Sequence, residues 1–486
     1  MKKPQIAITR DRDFYKQFFS VWSVLVLYNI ITLGVNLADN IMVGAYSEDA
    51  LSGVTSVNQI QFLFQQLLMG AGDAVVVLGS QYWGQKRTEP IKRFFMGALL
   101  FGVVLSLGLF VAACITPEGL LSLFTTSTAI KAEGVAYLRV MKYSYLIFAL
   151  TALLLATLRS VETVRVGFWV SVSTLVVNIS LNYLLIYGNF GFPALGTTGA
   201  AIATLSARIA EFVIVVVYVF AIDKKLRWRI RDFFTWDKPL VMDYFKLCRS
   251  FLFTSLIFGS SILLQTVILG HMNDSAIAAN SVASTLFQML KVASIGASSA
   301  ASILIGKAIG EDTDLHIETS PSRDQQVISG NDTRYLGSGT VGGKMGKIRS
   351  YTQTLQLMFV GIGLITSALL FILRIPIVNL YTDLSPETRQ MALDFILVLC
   401  VTGFGTAYQM PTATGIIRGG GDGKFVMVND IISIWGIVIP LSFLAAFVFK
   451  WPPVAVVICL NSDQVFKCGA AFIKCNRYRW IKKLTR

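Results

Sequence analysis

Charge is scarce in this chain. Only 14% of its 486 residues are Asp, Glu, Lys or Arg, against about 25% in a soluble domain. Hydrophobic residues make up 54%, and the mean hydropathy is +0.63. That balance excludes a water-soluble globular protein. Histidine is nearly missing as well: the two present, His271 and His316, fall in different loops. The six cysteines lie in or beside apolar runs with no CxxC spacing, so neither a zinc site nor a disulfide framework is indicated. There is no HExxH, no GxSxG and no histidine cluster, which leaves hydrolytic or metal chemistry without its parts. No enzyme and no cofactor are expected.

Long apolar runs take the place of these motifs. Twelve stretches are apolar enough to cross a bilayer, centred on 18–45, 51–82, 93–115, 132–157, 166–187, 199–221, 243–270, 277–308, 351–373, 389–416, 425–449 and 453–474. A span needs about 20 residues to cross about 30 Å of hydrocarbon, so an all-α integral membrane protein is expected. The runs come in two related sets. Residues 34–84 align without a gap onto 260–310, pairing Leu37 with Leu263, Gly44 with Gly270, Gly70 with Gly296 and Gly84 with Gly310. Past residue 91 the match resumes with Gly102 on Gly361 and Arg159 on Arg418, after one insertion at 311–343. That insertion is a mixture of Ser, Gly, Asp and Thr with few bulky apolar residues, and is expected to be a disordered cytoplasmic loop. Two six-helix lobes related by pseudo-twofold symmetry follow, 1–222 and 240–486, joined by a basic, aromatic-rich linker at 223–239 that should lie at the membrane interface. Duplicated sets of spans are a recurring transporter plan, in which one half rocks against the other around a site between them.

The net charge of +14 is distributed by loop rather than in a patch for nucleic acid. Lys and Arg crowd both ends of the chain and the segments 86–93, 224–231 and 344–349, whereas 45–50, 188–198 and 271–276 have none. By the positive-inside rule this puts both termini and the basic loops in the cytoplasm of a multi-pass protein of the cell membrane, anchored against anionic lipids. Charged residues 10–13 precede the first apolar run and no small-residue cleavage site follows, so no cleaved signal peptide is expected.

An ionisable group within hydrocarbon costs at least a few kcal/mol, which makes each one a functional candidate. Asp39 stands foremost, because it lies in an apolar stretch with nothing cationic near it in its own span. Its repeat partner is Gln265, so one lobe has an acid where the other has an amide. Asn178 and Asn182, one turn apart on the fifth span, and Thr204 on the sixth share its depth, about 6–14 Å below the outer helix ends at 1.5 Å per residue. Carboxylate, amide and hydroxyl oxygens together suit a hard cation or a proton. Asp39 is thus the expected coupling residue, and the metal ligand if the ion is Na⁺. Asp73, Gln265, Phe287, Met289 and Lys291 are candidates for a central substrate cleft, which aromatic and Met side chains would make adaptable. The other intramembrane charges fit structural roles: Arg208 with Glu211 and Asp463 with Lys467 are spaced for internal pairs, Asp394 follows a helix start where an acid offsets the dipole, and Asp430 lies near the basic end of its span.

These residues resemble the multidrug and toxic compound extrusion (MATE) family over nearly the whole chain outside the insertion. The marks are residues 36–44 (NLADNIMVG), 79–84 (GSQYWG), 178–183 (NISLNY), 199–204 (GAAIAT) and 417–424 (IRGGGDGK). The resemblance implies twelve helices in a V-shaped pair of lobes and export of amphipathic or cationic organic compounds in exchange for inward H⁺ or Na⁺, by a protein expected to be a monomer. It also implies a cation site at Asp39, with Asn178 and Thr204 as its amide and hydroxyl. The chain departs from the family pattern in having Asn182 where many relatives have Asp, no proline in the first half of span one, and no Glu in span seven, which assigns coupling to the first lobe. The alternative within the class is a related flippase for lipid-linked saccharides, whose cleft should be strongly cationic. A non-transport membrane protein is a more distant reading.

Overall fold

The computed structural model describes residues 8–125, 127–272, 274–311, 344–379 and 385–486. Among them there is no strand, and eleven helices are long and apolar enough to cross a membrane, with one bent pair making a twelfth. In chain order the spans are α1 (Arg12–Tyr46), α2 (Glu48–Gly84), α3 (Glu89–Ile115), α4 (Thr128–Met141 and Ser144–Ser160), α5 (Arg165–Leu185) and α6 (Gly196–Ile222). They continue as α7 (Lys238–Gly270), α8 (Asp274–Glu311), α9 (Lys344–Val378), α10 (Pro386–Ile417), α11 (Gly423–Val448) and α12 (Pro453–Asn476). The expected loop at 311–343 lies outside the described residues except for Glu311, which ends α8.

Local chemistry sets several of these limits. The Asp11 carboxylate accepts the amides of Asp13 and Phe14 and starts α1. Ser47 ends α1 and caps α2, where Glu48 and Asp49 meet the positive helix end. Span four departs from the single run expected at 132–157, bending by 56° at residues 142–143. There the Tyr143 amide turns to the Val140 carbonyl (3.2 Å) and the Ser144 hydroxyl takes the Met141 carbonyl (2.7 Å), so the regular ladder is interrupted without a proline. The end of α10 is widened into a π-helical segment at Pro411–Ile417, opened by a residue that has no amide hydrogen to give.

The two halves cross with the symmetry of the repeat. On α2, Gly70 faces Phe251 and Ser255 of α7; its partner Gly296 on α8 faces Trp22 and Val26 of α1. At the helix ends, Gly84 meets the backbone of Lys307 and Gly310 while Gly310 meets that of Gln81. Glycine permits this approach because a Cβ would strike backbone atoms. Polar ties between the halves run from within the spans, Trp22 Nε1 to the Ala293 carbonyl (2.9 Å) and Arg418 to Asp73, to the same end, Lys307 to Glu162 (2.7 Å) and Tyr351 to Asp11 (2.6 Å). The V is therefore sealed at the end that carries Thr9 and Arg486.

A strap formed by residues 480–486 crosses this seal. Trp480 is fully buried, the Lys482 amide donates to the Gly420 carbonyl (2.8 Å), and the Gln81 amide donates to the Lys482 carbonyl (3.0 Å) and accepts from the Leu484 amide (2.8 Å). Arg486 then grips both oxygens of Asp243 at 2.5 and 3.0 Å. The linker lies against α3, with Lys92 paired to Asp232 at 3.0 Å and Trp228 packed on Phe95, while Ile230 and Trp236 remain exposed.

In the loop between α10 and α11, Asp422 receives Lys474 and Lys482, each at 2.7 Å. Burial acts to raise its carboxyl, but the two ammonium groups prevail and hold it below its ordinary value of 3.8. A lowered folded value means stabilisation that is complete above 3.8 and fades as pH falls through the folded value. Asp422→Asn should thus cost about 1–3 kcal/mol at pH 7. In thermal unfolding of the solubilised protein, the gap to wild type should hold from pH 7 to pH 5 and close in strong acid.

Candidate functional site

Asp39 points from α1 into the first lobe and is 9% exposed. Its Oδ1 accepts from Asn182 Nδ2 at 2.6 Å and from Asn178 Nδ2 at 3.5 Å. Asn178 also donates to Thr204 Oγ1 (3.3 Å), and Asn182 to Asn178 Oδ1 (3.2 Å). The one-turn spacing on α5 stacks the two amides on one face, and Thr204, two turns into α6, closes the set. The four residues picked out in the sequence thus form one hydrogen-bonded cluster. Its surroundings form a small, partly open cavity whose further lining includes Asn36, Asn58, Gln61, Tyr137 and Arg208.

Among the described residues no Lys or Arg forms an ion pair with Asp39. Arg208 lines the same cavity, but its guanidinium is bound to Glu211 at 2.9 Å and lies over the Phe148 ring at 4.5 Å. Glu211 is held in turn by the Thr174 hydroxyl (2.9 Å). Two side-chain oxygens at the site are buried without a donor, Asn182 Oδ1 and Gln61 Oε1. A carboxylate held only by amides, beside acceptors with no hydrogen bond, is a poor resting place for fixed charge and a suitable one for an arriving cation. Tyr137, Gln61 and the pair Arg208–Glu211 were not placed at this site by sequence reasoning. The signal available was the polar spacing within apolar spans, Asn36 with Asn40 and Asn58 with Gln61.

The cleft candidates are scattered. Asp73 is bound by Arg418, which also lies over the Phe251 ring at 4.7 Å, so it belongs to the seal between the halves. Phe287 and Lys291 share a small cavity of the second lobe with Ser294, Thr366, Ser367 and Gly403. Met289 is 46% exposed and Gln265 is half-buried. Of the remaining charges, Lys467 pairs with Asp463 (3.0 Å) as its spacing suggested, and also with Asp430 (2.9 Å). The expected link from Asp430 to the basic end of its own span is replaced by this buried triad. Asp394 accepts from Gln390 (3.1 Å), and Ser385 rather than an acid caps α10.

A family model described as MatE matches residues 25–184 and 335–444. The chain belongs to the MATE family. It is a multi-pass membrane transporter of that family, with the two-lobed MATE fold. It is similar to the "uncharacterized transporter YisQ" of Bacillus subtilis, 22% identical over 99% of this chain and 97% of that protein. It is also similar to a "probable multidrug resistance protein NorM" of Xylella fastidiosa, 25% identical over 88% and 84% of the two chains. A crystal structure of the Vibrio cholerae MATE transporter VcmN superposes with a TM-score of 0.81 at 15% identity, covering 97% of this chain and 98% of that one. At that identity the likeness speaks for the fold.

Proposed function

We propose that this protein is a secondary antiporter that exports amphipathic or cationic organic compounds, multidrug efflux in character, driven by inward H⁺ or Na⁺ bound at Asp39. The observation that carries the reading is the Asp39 cluster: a buried carboxylate with amide partners, no ion pair among the described residues, and an uncompensated amide oxygen next to it. The names of relatives such as NorM support the substrate class. A driving ion does work only by binding one conformation more tightly than another. Because the cluster spans α1, α5 and α6, any movement of α1 against α5 would alter its affinity. In this reading 1–222 and 240–486 are the moving lobes, the sealed end faces the cytoplasm of the cell membrane, and the state described is outward-facing. The polar first-lobe cavity disfavours the flippase alternative, since Arg208, the cation that lines it among the described residues, is committed to Glu211.

The test is efflux of a fluorescent cation from proteoliposomes under separately imposed proton and sodium gradients. One of the two gradients alone should accelerate export several-fold over the gradient-free rate. Equal rates under all conditions would overturn the assignment.

A further inference from the structure

Lys291 is another intramembrane charge with no ion pair among the described residues. It sits midway along α8 in the cavity between α8, α9 and α10, with its Nζ 5.1 Å from the ring centre of Phe258 and 6.0 Å from that of Phe287. It forms no ion pair among the described residues. The charged groups that act on it electrostatically, Asp463 and Lys467, are bound to each other at 3.0 Å. Two aromatic faces attract an ammonium group but do not neutralise it. The same cavity is lined by Ser367, whose hydroxyl is buried without a partner. A cation and a free hydroxyl beside aromatic walls form the complement of an organic anion, and differ in sign from the acidic cluster of the first lobe.

Two of the helices around Lys291 also touch the first lobe. Phe258 adjoins Gly259, which lies against Leu63 and Gln66 of α2, and Lys291 is two residues from Ala293, where Trp22 of α1 is hydrogen-bonded. The helices α7 and α8, which carry Phe258 and Lys291, thus pack against the first lobe as well as around the pocket.

We propose that Lys291 binds a carboxylate carried by an aromatic amphipathic substrate, with Phe258 and Phe287 against its apolar part and Ser367 donating a hydrogen bond to it. The proposal rests on the transport reading above and deepens it by assigning one residue, Lys291, to one group of a zwitterionic or anionic substrate, its carboxylate.

The experiment uses the full chain in proteoliposomes and nanodiscs with two probes, a rhodamine carrying a free carboxylate and the same dye as its methyl ester. Lys291→Gln should weaken binding of the carboxylate dye about tenfold or more and slow its efflux, leaving the ester within twofold of wild type. Lys291→Arg should restore most of the carboxylate dye's affinity. In wild-type protein, benzoate should displace the carboxylate dye at concentrations where benzamide does not, a readout independent of any variant's folding. Equal loss of both dyes in Lys291→Gln, no loss of either, or no advantage of benzoate over benzamide would overturn the proposal. Displacement by chloride as effective as by benzoate would overturn it in favour of an inorganic anion site. Failure of wild type to move the ester would instead count against the transport reading.

Discussion

Asp39→Asn should reduce gradient-driven efflux to the level of empty vesicles while leaving the protein folded and able to bind substrate. The amide has nearly the same shape and can stay among Asn178, Asn182 and Thr204, but it neither takes up nor releases charge. Moving a two-state equilibrium from 1:99 to 99:1 requires a difference in affinity of about 10⁴-fold, about 5.5 kcal/mol, and a residue of constant charge gives the ion no such difference to exploit. A decisive comparison is thermal stability. If Asp39 were only a structural tie, replacing its charge-assisted 2.6 Å contact with Asn182 by a neutral and weaker one would lower the unfolding temperature as well as transport. The coupling role instead predicts a variant at least as stable as wild type, since a charge has left the hydrocarbon. Undiminished gradient-driven export by Asp39→Asn would contradict the assignment outright.

Lys467→Met should be the most damaging single substitution to the fold. Lys467 is 5% exposed and is shared by Asp463 and Asp430 at 3.0 and 2.9 Å. Removing it leaves the buried carboxylate of Asp463 and the partly buried one of Asp430 without their shared cation, and breaking a buried pair typically costs about 3–5 kcal/mol because the remaining charge is uncompensated. The expected result is a large fall in unfolding temperature and in folded yield. The triple variant Lys467→Met, Asp430→Asn, Asp463→Asn should recover most of the loss, because no charge then remains. A single variant as stable as wild type would show that the triad is solvated in the membrane-embedded protein.

The spans themselves were legible in the sequence, because the requirement to hide every backbone amide from lipid makes length and apolarity nearly sufficient to locate them. The Asp39 cluster was legible for a related reason: carboxylate, amide and hydroxyl side chains at one depth in apolar helices have few other places to turn. Partners chosen across helices were not. Asp430 goes to Lys467 on α12 and Asp73 to Arg418 beyond α10, contacts set by how helices are arranged around each other, about which periodicity along a single helix is silent. The bend at 142–143 was hidden too, since it arises from a hydroxyl and an amide changing partners rather than from a proline or glycine in the run.

The crossing of α2 and α8 has a further consequence. Gly84 touches the backbone of Lys307 and Gly310 touches that of Gln81, and these are the same two positions exchanged between the repeats. A contact in which each member receives what it gives is isologous, the kind that joins identical subunits about a dyad. The transporter is thus assembled as a homodimer would be, with a covalent tether in place of a second copy. Fusion frees the copies to diverge, so that Asp39 need exist only once, opposite Gln265, and under the proposed function one partner carries the ion while the other is left to specialise.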